Sequence, residues 1–189
     1  MITKSEAFDN LKIFRQVAQE LDIPFFLDGG TLLGAYRDKD FCQDDQDDID
    51  LSIMIPYWDQ VDKLTESLVK YGFKLYHKWD AKDFKPKQVS CQTAYTRNGG
   101  KIDLMFKKLK NDKLWWTVFR GQEVVYKCIP FDLIGIQKTI MFNGVQFYVP
   151  ELTHEYLQYR YGDYTKKVHR SKYSCYTTDK CIVKSYEEI

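Results

Sequence analysis

Leu27-Asp28-Gly29-Gly30-Thr31-Leu32-Leu33-Gly34 leads, through a polar loop, into Asp48-Ile49-Asp50-Leu51-Ser52-Ile53. These two runs set the fold class. Phe25-Phe26-Leu27 reads as a short buried strand, and Asp28-Gly29-Gly30 as a tight turn. Thr31 is then placed to cap a helix over Leu32 to Arg37. Residues 38–47 form an acidic loop. From Asp48 to Ile55 polar and apolar side chains alternate, the pattern of a strand. One face carries Asp48, Asp50 and Ser52, and the other Ile49, Leu51 and Ile53. Pro56 stops it.

Carboxylates at i and i+2 of a strand point to the same face, about 7 Å apart at their Cα atoms. Such a pair repels and is costly to desolvate. Mg²⁺ or Mn²⁺ removes that cost, and two hard oxygen ligands suit either ion. A second candidate strand, Lys101-Ile102-Asp103-Leu104-Met105-Phe106, carries one acid opposite Ile102 and Leu104. If it pairs with the Asp48–Asp50 strand, Asp103 joins the same site. Three acids and two divalent ions make the arrangement for in-line displacement at phosphorus.

Taken alone, Asp44-Asp45-Gln46-Asp47-Asp48 reads as a solvated acidic loop, as most charge runs do. A calcium loop of EF-hand type would need Gly at its sixth position, which is missing. The preceding Gly29-Gly30-Thr31 changes the reading. Strand–Gly-Gly-Thr–helix directs backbone N–H groups and a hydroxyl at an anion over the helix N-terminus. The glycines let the backbone approach a phosphate closely.

Working outward, Ser5 to Leu21 reads as an amphipathic helix and Tyr57 to Tyr71 as a second, ended by Gly72. Phe73 to Trp79, Val89 to Thr96 and Lys101 to Phe106 read as strands, the last two joined through Asn98-Gly99-Gly100. Further strands are expected at Glu123 to Cys128, Thr139 to Phe142 and Val145 to Val149, the last two flanking Asn143-Gly144. A helix over Glu151 to Tyr161 follows Pro150 and ends at Gly162. The polar, Tyr-rich tail over residues 165–189 receives no assignment. The sum is an α/β domain around a mixed sheet flanked by helices.

The chain has 189 residues, enough for one domain with a real core and few for two, so residues 1–189 are read as a single domain. At 44% hydrophobic residues a packed globule is expected. A net charge of +1 favours neither nucleic acid nor a membrane surface as partner. No apolar run approaches the ~20 residues that span a bilayer. Five scattered cysteines without a Cys-x-x-Cys pair, and a charged N-terminal helix unlike a signal peptide, fit a cytoplasmic protein with reduced thiols. Cys42, beside the acids, reads as filler. His77, His154 and His169 are isolated and are not read as metal ligands.

The runs LDGGTLLGAYRDKDF (27–41), DDIDLSI (47–53), KIDLMF (101–106) and VQFYVPELTHEYLQYRYGDY (145–164) occur in that order. This text resembles the nucleotidyltransferase superfamily and, more closely, the LicD and fukutin-related protein family. The first and last runs carry the closer likeness. The resemblance implies a nucleotidyltransferase-like (polymerase-β-like) fold. It also implies transfer of a phosphorylated alcohol, such as phosphocholine or ribitol phosphate, from a CDP-linked donor to a glycan hydroxyl. The family's metal ligands fall on Asp48, Asp50 and Asp103, and its phosphate contacts on Gly29, Gly30, Thr31 and Arg37. Where family members often carry Pro-Trp before the acids, this chain has Gln43-Asp44-Asp45-Gln46, a more polar loop.

The same carboxylates suit attack at the outer phosphorus of a CDP-alcohol, releasing CMP, or at the α-phosphorus of a nucleoside triphosphate, releasing pyrophosphate. Asp103 is the candidate to ligate the ion nearest the acceptor hydroxyl and to take its proton. Arg37 suits a bidentate phosphate contact or a salt bridge with Asp38 or Asp40. Asp47 reads as an outer acid, and Tyr161-Gly162-Asp163 as a closing segment or a helix end. The Lys107-Lys108 and Lys166-Lys167 pairs suit contact with an anionic acceptor, with solvated surface as the default reading. A non-catalytic nucleotide-binding module is the reading from another class, and a manganese-dependent glycosyltransferase is a third.

Overall fold

The computed structural model describes residues 2–43, 45–80, 91–120, 123–168 and 182–183. Helix α1 (Lys4–Glu20) starts at a reciprocal cap: Glu6 N–H donates to Thr3 Oγ1, and Thr3 N–H donates to the Glu6 carboxylate. Strand β1 (Phe26–Leu27) leads into the short helix α2 (Gly29–Leu33), which continues as a wider π turn over Gly34–Asp38. Asp28 is the N-cap of α2, not Thr31. The carboxylate of Asp28 accepts from Gly29 N–H, and Gly29 takes φ +53°, so helix follows strand with no spacer.

The remaining strands are β2 (Asp48–Met54), β3 (Lys74–Trp79), β4 (Cys91–Arg97), β5 (Gly100–Lys110), β6 (Lys113–Arg120) and β7 (Glu123–Pro130). They lie in the order β1-β2-β5-β6-β7, with β4 also on β5 and β3 on β4. β2 and β5 run parallel, and the other pairs are antiparallel, so the sheet is mixed. Of the expected strand Val89 to Thr96, Val89 and Ser90 lie outside the described residues. Of the tail, Ile182–Val183 (β10, following the elements below) pairs with Lys127 and Tyr126 of β7. A separate hairpin joins β8 (Lys138–Phe142) to β9 (Val145–Val149), and α4 (Thr153–Tyr161) follows.

Among the described residues, three two-residue turns set hairpin registers: Asn98-Gly99, Asn111-Asp112 and Asn143-Gly144, all at positive φ. That backbone matches the right-handed twist of the flanking strands. The expected helix Tyr57 to Tyr71 divides into a tight 3-10 segment, Ile55–Gln60, with Pro56 near its start, and α3 (Val61–Val69). β6 was not expected. Leu114, Trp115, Trp116 and Thr117 are all buried, so both of its faces are covered and alternation is missing.

Alternation divides the centre of the sheet into two faces. Ile49, Leu51 and Ile53 of β2 and Ile102, Leu104 and Phe106 of β5 join the apolar core with Leu11, Phe14 and Val17 of α1 and Leu64 and Leu68 of α3. α1 contacts both α3 and β5. The other face carries Asp48, Asp50 and Ser52 from β2 and Lys101, Asp103, Met105 and Lys107 from β5. Cys42, Cys91 and Cys128 are buried. Among the described residues no helix is long and apolar enough to cross a membrane.

Candidate active site

Parallel pairing aligns Asp48 with Lys101 and Asp50 with Asp103. Paired residues of adjacent strands share a face, and the three carboxylates converge there. One oxygen from each of Asp48, Asp50 and Asp103 lies within 4.8 Å of the others. Gly30 N–H donates to Asp50 Oδ2 at 2.7 Å. The backbone N–H of Asp50 donates to Thr31 Oγ1 at 2.9 Å, and the Asp28 N–H to the Asp50 carbonyl at 3.1 Å. α2 thus clamps both ends of Asp50.

Burial first, then the Asp48 and Asp103 charges, push the Asp50 carboxyl well above the usual carboxylate range. Burial likewise raises Asp103, against the lowering effect of Lys101. Asp103 Oδ1 is buried and makes no hydrogen bond among the described residues. The Lys101 ammonium stands between two of the acids, 2.8 Å from Asp103 Oδ2 and 3.2 Å from Asp48 Oδ1. Burial alone would lower it, but Asp103 and Asp48 hold it well above the usual lysine range. Crowded carboxylates, an oxygen without a donor and a lysine drawn between acids all fit a site for a divalent cation.

The acids line one end of a cleft of about 440 Å³. Gly29, Gly30 and Asp45 border the same end. Asp45 is a fourth carboxylate that sequence reasoning passed over in favour of Asp47, which is not among the lining residues. A side chain at Gly29 would fall on the Asp50 carboxylate, and one at Gly30 on that of Asp45. The two glycines are therefore needed first to let protein carboxylates approach the backbone.

Two expected contacts are not brought to the cleft. Thr31 is 2% exposed, and its hydroxyl holds the Asp50 backbone. Arg37 pairs with Asp38 at 2.7 Å and donates to the Tyr164 carbonyl at 3.0 Å, taking the salt-bridge role expected as its alternative. His77 and His154 stand outside the acid cluster, and His169 lies outside the described residues.

The wall of the same cleft holds a second polar centre, around Asp28 and Arg160, that the sequence did not announce. Asp28 accepts from Ser52 Oγ (2.6 Å), Lys107 Nζ (2.6 Å), Tyr156 Oη (2.7 Å) and, very closely, Arg160. Burial would raise the Asp28 carboxyl, but Arg160 and Lys107 hold it far below the usual range. Lys107 is 1% exposed, so the expectation of solvated surface is corrected for this residue. The network ties the β1–α2 junction to β5 and α4. Its signal in sequence was weak, because Lys107 and Arg160 acquire a buried partner only when distant segments meet.

The LicD/FKTN/FKRP nucleotidyltransferase domain matches this chain over residues 22–151. The chain belongs to that family. The span matched in this LicD domain includes the glycine turn and all three converging acids. It is 27% identical over 166 residues to ribitol-5-phosphate transferase FKTN of Mus musculus, covering 86% of this chain and 33% of that protein. The LicD domain thus spans about a third of that relative's length. Among solved structures it is similar to the antibiotic-resistance factor ANT(2'')-Ia in solution, with a TM-score of 0.51 and 12% identity over 78% of this chain and 66% of that one. That likeness is one of fold, and it agrees with the nucleotidyltransferase fold expected from the sequence.

Proposed function

We propose that this domain transfers a phosphorylated alcohol, of ribitol phosphate or phosphocholine type, from a CDP-linked donor to a glycan hydroxyl. Asp48, Asp50 and Asp103 are assigned to hold Mg²⁺ or Mn²⁺. The observation that carries the reading is the convergence of these three carboxylates on the paired β2 and β5, within 4.8 Å of one another. The family match and the ribitol-5-phosphate transferase named above support the choice of a phosphoalcohol. Divalent cations bound there would neutralise the donor diphosphate and the charge that develops on it.

The chain's own residues then have separable roles. Gly29 and Gly30 keep side chains out of the space beside Asp50. Thr31 fixes the Asp50 backbone. Asp103 Oδ1, buried and without a donor on it, is the atom assigned to accept the proton of the acceptor hydroxyl. The hydroxyl oxygen forms a bond to the outer phosphorus. The bond from that phosphorus to the bridging oxygen breaks, and CMP leaves with the electron pair.

A donor screen tests the reading: CDP-ribitol, CDP-glycerol, CDP-choline and plain nucleoside triphosphates with Mg²⁺, following CMP and pyrophosphate. CMP release that requires acceptor is expected. Pyrophosphate release would make the domain a nucleotidyltransferase instead, and tight binding with no product would leave a binding module.

A further inference from the structure

A second cavity, of about 540 Å³, opens beside α1 and shares no lining residue with the acid cleft. Part of its wall is a stripe of α1 and the turn after it. Arg15, Ala18, Gln19 and Asp22 fall at i, i+3, i+4 and i+7, the spacing of one helix face. Another part belongs to the β8–β9 hairpin. Thr139 and Tyr148 are register partners there, and Gln146 lies two residues along the same face. Buried Phe25 and Phe147 also line the cavity, and the Arg15 guanidinium lies 5.8 Å from the Phe147 ring centroid. Tyr57 and Tyr148, the latter 49% exposed, each add a ring and a hydroxyl. Phe25 is three residues before Asp28 of the acid cleft, about 10 Å at the rise of a strand.

Asp22 is not the residue that its backbone position favours. Ile23 N–H donates to the Ala18 carbonyl at 2.8 Å and Asp22 N–H to the Gln19 carbonyl at 3.2 Å, which closes α1 in the manner of a Schellman turn. Asp22 sits in it at φ +53°, where glycine is the usual residue. Its carboxylate also meets the negative end of the helix dipole, and the last turn of α1 carries no basic residue to offset it. Among the described residues the Asp22 side chain has no hydrogen bond or ion pair. Helix termination alone therefore gives no reason for an acid at the cavity's edge.

The lining selects among ligand classes. Arg15 and Asp22 offset one another in charge, and an anion drawn to the first would be repelled by the second. An apolar ligand would strip water from two side-chain amides, three hydroxyls and both charged groups without replacing those hydrogen bonds. A neutral polyhydroxyl ligand uses the whole set. Its hydroxyls donate to Asp22, accept from Arg15 and do both with Gln19 and Gln146, while its C–H faces rest on tyrosine rings. The volume lies in the ~300–1,000 Å³ range of small-ligand sites.

We propose that this cavity is a saccharide site, which holds an uncharged sugar unit of a glycan apart from the three acids. Its part in holding the acceptor rests on the transferase reading above, but the binding itself does not.

Saturation-transfer NMR on the whole chain in EDTA, with maltose, lactose and N,N′-diacetylchitobiose as probes, tests the site without engaging the acids. At least one disaccharide is expected to bind, about tenfold or more weakly in Tyr148→Ala and as in wild type in Asp103→Asn. Binding of none of the three, binding unchanged in Tyr148→Ala, binding lost in Asp103→Asn or displacement of the sugar by inorganic phosphate overturns the proposal. Asp22→Gly relieves the helix end, so it is expected to melt no lower than wild type while binding about tenfold more weakly. Full binding in that variant also overturns the proposal. Where turnover is seen, Tyr148→Ala is expected to raise the acceptor KM about tenfold and to leave the donor KM unchanged; an unchanged acceptor KM overturns the acceptor role. A chain that binds sugar through Tyr148 but releases no CMP refutes the transferase reading alone. CMP release with sugar binding indifferent to Tyr148 refutes the saccharide site alone.

Discussion

Asp50 and Asp103 are direct partners across the parallel β2–β5 pair, so one strand register sets how far apart the two carboxylates stand. Asp48 completes the cluster from the same strand face. The cluster costs the metal-free fold free energy because like charges are held together in a buried place. Asp103→Asn is therefore expected to raise metal-free thermal stability by about 1–2 kcal/mol while lowering turnover about a thousandfold. Melting curves in EDTA and in Mg²⁺, alongside a turnover assay, check both halves. A variant that still gains as much stability from Mg²⁺ as the wild type would count against Asp103 as a ligand.

Gly29 and Gly99 both sit at positive φ, but only Gly29 has a carboxylate where a Cβ would go. Gly99→Ala should cost about 1 kcal/mol, the backbone penalty alone. Gly29→Ala adds displacement of Asp50, and about 3 kcal/mol or more is expected. It should also lose Mg²⁺-induced stabilisation, which Gly99→Ala keeps. Equal urea midpoints for the two variants would show that Asp50 yields without cost.

The parts of this site that short-range pattern could disclose were legible in the sequence. Period-two alternation placed Asp48 and Asp50 on one strand face, and the apolar run around Asp103 placed it on another. Pairing of those strands was an inference from chemistry, since nothing local to either run specifies a parallel neighbour. The Asp28 centre was hidden for a different reason. Lys107 and Arg160 look like ordinary surface cations until β5 and α4 bring them to Asp28. Thr31 misled because its hydroxyl caps a helix about as well as Asp28 does, and only the tertiary contact to the Asp50 backbone decides between them.

Arg37 separates a structural role from a phosphate contact. Its guanidinium joins Asp38 to the Tyr164 carbonyl and does not border the cleft. Arg37→Ala should lower stability by about 1–3 kcal/mol, because it leaves the Asp38 carboxylate and a carbonyl without that donor. The KM for the nucleotide donor should change less than about threefold. Chemical denaturation and donor titration on the same preparation check this, and a tenfold rise in KM at unchanged stability would restore the phosphate contact.

Asp28 governs the acid limit of the fold. Its carboxyl lies far below the ordinary value of about 4 because Arg160 and Lys107 outweigh its burial. For such a depressed group the unfolded chain binds the proton first as pH falls. The stability it contributes is therefore fully present above about pH 4 and is lost progressively as pH drops below that value toward its folded one. Asp28→Asn removes the charge at every pH and leaves Lys107 and Arg160 buried without their carboxylate, at an expected cost of about 3–5 kcal/mol near neutrality. Urea unfolding from pH 7 to pH 2 should show the gap between wild type and variant closing below about pH 4. A gap that stays constant across that range would mean the Asp28 carboxylate does not carry the network.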